Sequence, residues 1–365
     1  MFGASEVKFV RMSSPSTSAD GPANAKGAAE RNSVLTDSFD RHHNYLRISL
    51  TDRCNLRCLY CMPGEEQNFT PGSGLMNAEE IAGIAKVFVD YGVDKIRLTG
   101  GEPLVRKDFT EILQGLKPLG VEMAMTTNAV LVDRYFDLLE DSGIRTINVS
   151  LDTLKPDRFF WIAKRDHFER VMQNIGELVR RGFKVKVNAV SMRDFNEDEI
   201  EDFVAWSARE PIDIRFIEFM PFDGNRWAMD KVYSYGELMD RVKGKFELEK
   251  LTDGPNDTSR TWKVIGGAGS FGMIASMTAP FCDTCNRIRL TADGRLRNCL
   301  FSDAETDLLT PWRQHVAEGL DPVSFIRPLI AENLQAKHAR HGGMPQIEEI
   351  AEEVITRRSM IRIGG

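Results

Sequence analysis

Six cysteines fall into two triplets, Cys54-x3-Cys58-x2-Cys61 and Cys282-x2-Cys285-x13-Cys299, with none left over. Iron–sulfur clusters usually take four thiolates. Two sets of three therefore suit two four-iron clusters, each with one iron free of a protein ligand. Such an iron can bind a small molecule, so the pattern points to chemistry at the metal beyond plain electron transfer. Two plainer readings stand beside it. Disulfides are one, set against their rarity inside cells and the cluster-like CxxxCxxC spacing. Zinc is the other, with His42 or His43 completing the first set and His315 completing a ribbon at the second.

Other residues carry chemistry by their placement. Thr99-Gly100-Gly101-Glu102-Pro103 is a strand-to-helix turn in which two glycines admit close backbone approach and Glu102 could accept from an ammonium. Tyr60 could stack on a purine; otherwise it is an aromatic core plug. Charged residues interrupt apolar strands at Arg47, Arg97, Lys186 and Arg215, and Arg287 and Arg289 follow the second CxxC. Charges rarely sit inside apolar strands without a partner. Arg binds phosphate in bidentate fashion and Lys supplies a point charge, so these residues are candidates for a polyphosphate pocket. Exposed surface charge is the competing reading for each.

The chain has 365 residues and a formal net charge of −7, which excludes a bulk nucleic-acid binder and makes any anion site a local basic pocket. No apolar run is long enough to span a membrane, and the first residues lack the apolar stretch of a secretory signal. Residues 1–38 read as a disordered tail rich in Ser, Thr, Ala, Gly and Pro, with Met12 an alternative start and order expected near Tyr45. Strands are expected at 45–50, 94–99, 121–127, 146–151, 184–190 and 212–219. Between them lie a helix capped by Asn77, with Glu80 three residues on, and others from about 108, about 133, 167–181 and 197–208. Six strands alternating with helices predict a parallel α/β unit. Motifs at four or more strand ends favour an incomplete (βα)6 TIM-type barrel over an open doubly wound sheet. The barrel is expected over residues 39–245. A smaller, irregular C-terminal region, 246–365, is expected to cover it and carry the second cluster.

The run Cys54-Asn-Leu-Arg-Cys58-Leu-Tyr60-Cys61 resembles the CxxxCxφC signature of the radical S-adenosylmethionine (SAM) enzymes. That resemblance implies a [4Fe–4S] cluster whose open iron holds SAM and cleaves it reductively to an adenosyl radical. It implies SAM contacts at Tyr60, Gly101, Glu102, Ser150 and Met220. The second triplet, with Arg287-Ile288-Arg289 after its CxxC and Gly364-Gly365 at the end, resembles the GTP 3′,8-cyclase family, which opens molybdenum cofactor biosynthesis. This implies a second [4Fe–4S] cluster facing the purine, and GTP contacts at Arg47, Arg97, Thr126, Lys186, Arg287, Ile288 and Arg289, with Arg287 and Arg289 catalytic. It also implies a terminal tail in the active site, a low-potential electron donor, and hand-over of the product to cyclic pyranopterin monophosphate synthase. A homodimer is a candidate assembly, and a cytoplasmic location is expected. Ala129 stands where the family usually has Gly; a positive φ there would cost about 1 kcal/mol. The rival functions are a radical SAM enzyme acting on a peptide, and a non-catalytic zinc or electron-transfer protein.

Overall fold

A computed structural model describes residues 34–64, 68–344 and 358–364. The six expected strands are present as β1 (Tyr45–Ser49), β2 (Lys95–Thr99), β3 (Glu122–Thr127), β4 (Thr146–Ser150), β5 (Lys184–Ser191) and β6 (Asp213–Glu218). They pair in parallel in that order. The intervening helices are α1 (Ala78–Asp90), α2 (Phe109–Leu116), α3 (Phe136–Asp141), α4 (Pro156–Ala163), α5 (Phe168–Arg180) and α6 (Ile200–Arg209). At the start of α1 the Asn77 side chain accepts from the Glu80 amide while the Glu80 carboxylate accepts from the Asn77 amide. This reciprocal cap satisfies two amides that the helix itself leaves over. Ile81, Ile84, Ala85 and Phe88 are buried as the periodicity requires. Helix α4 was not expected: Pro156 opens it, but exposed Phe160 and Trp161 blur its apolar stripe.

Strand pleating sorts the side chains. Val185, Val187 and Ala189 of β5 are buried in the core, while Lys186 and Asn188 line an internal cavity. In β6, Ile214 and Phe216 face the core and Arg215 the cavity. This period of two is why charged residues sit in otherwise apolar strands.

The C-terminal region departs from the expected irregular cover. After α7 (Tyr235–Lys243) come β7 (Leu248–Lys250), β8 (Arg260–Val264), β9 (Ser270–Ile274), β10 (Arg287–Leu290), β11 (Arg295–Arg297) and β12 (Thr306–Asp307). They join the same sheet, whose order is β12-β11-β10-β1-β2-β3-β4-β5-β6-β9-β8-β7. Strand β10 adds parallel to β1, and β9 adds parallel to β6. Both edges of the six-strand unit are thereby paired rather than left open. The order does not close on itself, so the barrel is incomplete. Helices α8 (Leu309–Ala317) and α9 (Pro322–Gln335) follow, and α9 packs against α1.

Order also starts earlier than expected. Residues 1–33 lie outside the described residues, but Val34 and Leu35 are buried in the core. Asp37, also buried, accepts from Arg41 Nε at 2.6 Å and lies 3.1 Å from His43 Nε2. An apolar pair and one buried carboxylate hold residues that composition alone assigns to the tail.

Candidate active site

All six cysteines line one cavity of about 410 Å³. All are free thiols, so the disulfide reading is not realised. Cys54, Cys58 and Cys61 lie on the loop leaving β1, Cys282 and Cys285 on the loop entering β10, and Cys299 just beyond β11. The start of the first loop packs on the Gly100-Gly101 turn, where the Gly101 amide donates to Thr51 O at 2.7 Å. A Cβ on Gly101 would lie 2.4 Å from Arg53 O, and Gly100 has φ +139°, so only glycine fits both positions.

The first triplet has neutral donors around it. Cys54 Sγ accepts from the Leu56 amide at 3.4 Å and from Asn128 Nδ2 at 3.6 Å. Burial, with the Glu102 charge behind it, pushes the Cys54 thiol up to about 11. Burial likewise pushes Cys58 and Cys61 upward, with Asp152 adding to both. The second triplet meets cations. Lys337 Nζ donates to Cys285 Sγ at 3.7 Å and to Arg287 O at 3.2 Å. Burial alone would raise the Cys285 thiol, but Arg287 and then Lys337 outweigh it and bring it down to about 6.

Between the triplets the sheet register lines up like charges. Arg289 of β10 is opposite Arg47 of β1, and Arg47 is opposite Arg97 of β2. Arg97 and Arg289 are only 5% and 7% exposed. Neighbouring strands lie about 5 Å apart. Burial holds Arg47 down to about 10 and lowers Arg289 as well; Arg97 and Arg287 press on Arg47, and Arg47 and Arg287 on Arg289. Lys186 falls to about 8, through burial and then Arg215. A row of buried guanidinium groups makes physical sense opposite a polyanion. Orphan polar atoms mark the same wall: Thr126 Oγ1, Asn148 Oδ1 and Asn188 Oδ1 are buried without a hydrogen-bond partner.

A family model described as "Radical SAM superfamily" matches residues 48–207, and one described as "Molybdenum Cofactor Synthesis C" matches 212–343. The chain is 39% identical over 342 residues to GTP 3′,8-cyclase of Peptoclostridium acidaminophilum, covering 92% of this chain and 100% of that protein. The chain belongs to the GTP 3′,8-cyclase family of radical SAM proteins. It is also 45% identical over 340 residues to "GTP 3′,8-cyclase, mitochondrial" of Arabidopsis thaliana, covering 91% of this chain and 84% of that one. Over 331 residues it is 46% identical to Bos taurus molybdenum cofactor biosynthesis protein 1, with 88% of this chain aligned. The chain spans about half the length of the animal relatives it matches (51% for the Bos taurus protein). Streptococcus suis SuiB shares the fold at a TM-score of 0.61 and 16% identity, over 93% of this chain and 81% of SuiB. No described helix is long and apolar enough to cross a membrane.

Two [4Fe–4S] clusters and SAM are the cofactors of the family, and the donor sets fit: each triplet presents three thiols to the common cavity. The three histidines named for zinc lie elsewhere, and His341, which does line the cavity, has its Nε2 2.9 Å from the Ser276 carbonyl. His42 pairs with Thr36, His43 with Asp37, and His315 rests on the Phe325 ring at 3.4 Å. Tyr60, Gly101, Ser150 and Met220 line the cavity, as do Arg47, Arg97, Thr126, Lys186, Arg215, Arg287 and Arg289. Arg215 Nε donates to Asp213 Oδ2 at 3.0 Å, which offsets its charge.

Two expected site residues do not line the cavity. Glu102 is fully buried, and its carboxylate accepts from the Leu104 amide (3.1 Å), Thr127 Oγ1 (2.8 Å) and the Asn128 amide (2.7 Å). It braces the turn behind the first triplet, and burial holds it at about 7. Ile288 lies in the core, because the alternation that points Arg287 and Arg289 into the cavity turns it away. The terminal tail does enter: in α10 (Met360–Ile363), Met360 and Ile361 line the cavity. The Gly364 carbonyl accepts from Thr99 Oγ1 at 2.9 Å and from Arg289 Nη1 at 3.2 Å. Gly365 lies outside the described residues.

Other lining residues escaped the sequence reading. Asn148 and Asn188 occupy the same alternate strand positions that flagged Lys186, so the signal was available. Asp152, which accepts from the Tyr60 hydroxyl at 2.8 Å, and Tyr45, which accepts from Arg97, gave none.

Proposed function

We propose that this protein converts GTP to (8S)-3′,8-cyclo-7,8-dihydroguanosine 5′-triphosphate, the first step of molybdenum cofactor biosynthesis. The observation that carries the reading is the shared cavity: both triplets line it, with Arg289, Arg47 and Arg97 in adjacent register between them. When bound, a cluster on Cys54, Cys58 and Cys61 supplies the electron that cleaves SAM, and one on Cys282, Cys285 and Cys299 supplies an open iron for the guanine. In the reaction proposed, a hydrogen atom would leave C3′ of GTP, the C3′–C8 bond would form, and one further electron and one proton would complete a product isomeric with GTP. In this reading Arg47, Arg97, Lys186, Arg287 and Arg289 hold the triphosphate, and Thr126 supplies a hydroxyl to the nucleotide. Tyr60, Gly101, Ser150 and Met220 border SAM. Holding the nucleotide in reacting geometry contributes an entropic advantage of several kcal/mol. Arg287 and Arg289 act by electrostatics on a substrate of about four negative charges; no acid–base pair is invoked.

The partners we assign are a low-potential electron donor, cyclic pyranopterin monophosphate synthase as the next enzyme, and a second copy in a homodimer. We place the reaction in the cytoplasm, whose thiol pool keeps cysteines reduced. The test is anaerobic reconstitution with SAM and GTP deuterated at C3′. The expected products are methionine, 5′-deoxyadenosine carrying the deuterium, and an isomer of GTP. Deuterium retained in the nucleotide sinks the assignment; SAM cleavage with a peptide and none with GTP favours the peptide-modifying alternative.

A further inference from the structure

The second triplet is backed by a charged shell that the proposed reaction does not use. Lys337 follows α9 and is 4% exposed. Its ammonium meets Cys285 Sγ and the Arg287 carbonyl, and among the described residues no carboxylate pairs with it. A buried cation is costly unless an anion offsets it, and the anion available here is a thiolate. The buried carboxylate of Asp37 is taken by Arg41 and His43. Arg41 fixes the arrangement: Nη1 donates to Cys282 O and Ala339 O, each at 2.8 Å, and Nη2 to His338 O at 2.9 Å. One guanidinium thus ties the triplet's backbone to the segment that carries Lys337. Gln335 Nε2 donates to Thr36 O at 2.8 Å and anchors the same segment to the N-terminal strap. Among the described residues no lysine donates to a sulfur of the first triplet: Cys54 Sγ accepts from the Leu56 amide and from Asn128 Nδ2, and the Arg57 guanidinium donates to the Cys54 carbonyl rather than to a sulfur.

We infer that Lys337 is a positioning residue for the second cluster, its ammonium offsetting the charge of the three thiolates and raising that cluster's reduction potential. The inference rests on the proposed placement of an iron–sulfur cluster at Cys282, Cys285 and Cys299. Three thiolates around a [4Fe–4S] core leave a net negative charge that deepens on reduction. A fixed cation beside one sulfur therefore favours the reduced form, since cluster potential follows net charge and hydrogen bonds to sulfur.

The test uses the full chain reconstituted anaerobically, with Lys337→Met and Lys337→Arg made in wild type and in a Cys54→Ala/Cys58→Ala/Cys61→Ala background that keeps only the second triplet. Iron is counted, and the midpoint is followed by spin resonance during reductive titration. Lys337→Met is expected to move the second cluster's midpoint to a more negative value, Lys337→Arg to restore most of it, and the first cluster's midpoint to stay put. Loss of the second cluster's iron in Lys337→Met but not in Lys337→Arg also supports a charge role. An unchanged midpoint with full iron in Lys337→Met overturns the inference, as does equal iron loss in both variants, which would make the role steric. A wild-type chain that takes up only one cluster's iron overturns this inference together with the proposed function, and that failure is visible before any substitution is made.

Discussion

The two cysteine triplets share a cavity and a ligand type but not an electrostatic setting. The sulfurs of the first triplet meet uncharged donors, with Arg57 on the Cys54 carbonyl and two buried carboxyl groups nearby, Glu102 and Asp152, which burial raises to about 7 and about 6. Cys282, Cys285 and Cys299 sit beside Arg287, Arg289 and Lys337. Burial opposes thiolate formation at both places; at Cys54 it outweighs the opposing pull of Arg57, whereas at Cys285 Arg287 and Lys337 outweigh it. With equal sulfur donors, surrounding charge sets the difference in redox character. In the proposed reading, a cluster in the first setting would be the harder to reduce and so the stronger donor once reduced. The second setting suits an anchor for an anionic nucleotide.

Several substitutions break or sharpen that contrast. Cys54→Ala has the largest expected effect: SAM cleavage falls to background while iron drops to that of the second cluster, so retained cleavage would refute the first site. Cys285→Ala is expected to do the reverse, removing one cluster's iron and the affinity for GTP while the first cluster's spectrum persists; equal loss of both signals would mean that the two sites are not independent. Arg289→Ala leaves both clusters and removes one charged donor, worth about 1.5–3 kcal/mol. Equilibrium binding should therefore show GTP weakened by about ten- to a hundredfold, and unchanged affinity would remove Arg289 from the phosphate site. Lys186 titrates near 8 and binds anions as the ammonium, so GTP affinity should fall as pH rises through about 8. Lys186→Arg should flatten that fall, and a fall that persists in Lys186→Arg points to another group.

The smallest effect is expected at Ala129, in the turn that brings Asn128 to Cys54. Its φ is +59° and its side chain is fully buried. Ala129→Gly relieves left-handed strain of about 1–2 kcal/mol. It also loses a buried methyl worth about 0.8 kcal/mol and gains backbone freedom when unfolded. The net change in a denaturant melt should be within about 1 kcal/mol of zero, and a loss above about 2 kcal/mol would show that the methyl is needed to pack the first triplet's loop.

Local patterns were legible where their causes are local. The run KVKVNAV shows a period of two, so Lys186 was separable from its apolar neighbours before any fold was known. Asn77 and Glu80 marked the start of a helix because the cap is made within four residues. The positive φ of +59° at Ala129 was raised only by the family resemblance, in which Gly usually stands at that place. The clamp at Glu102 was not legible: a carboxylate after two glycines looks equally able to meet a ligand or to brace its own turn, and its three donors come from residues 104, 127 and 128. Asp37 and Lys337 were invisible for the same reason, since their partners lie far away in the chain or have no pattern of their own.

By itself the sequence determined the donor atoms, their grouping in threes, and which strand residues could turn inward, because these depend on spacing and short-range periodicity. Tertiary structure alone decided that β10 lies beside β1, more than two hundred residues earlier, and so set Arg289 against Arg47 and Arg97. It also decided that both sets of sulfurs open on one void and that Lys337 stands behind the second. Pairing at such separation is chosen by the burial of whole sheet edges, and no local repeat in the chain records that choice.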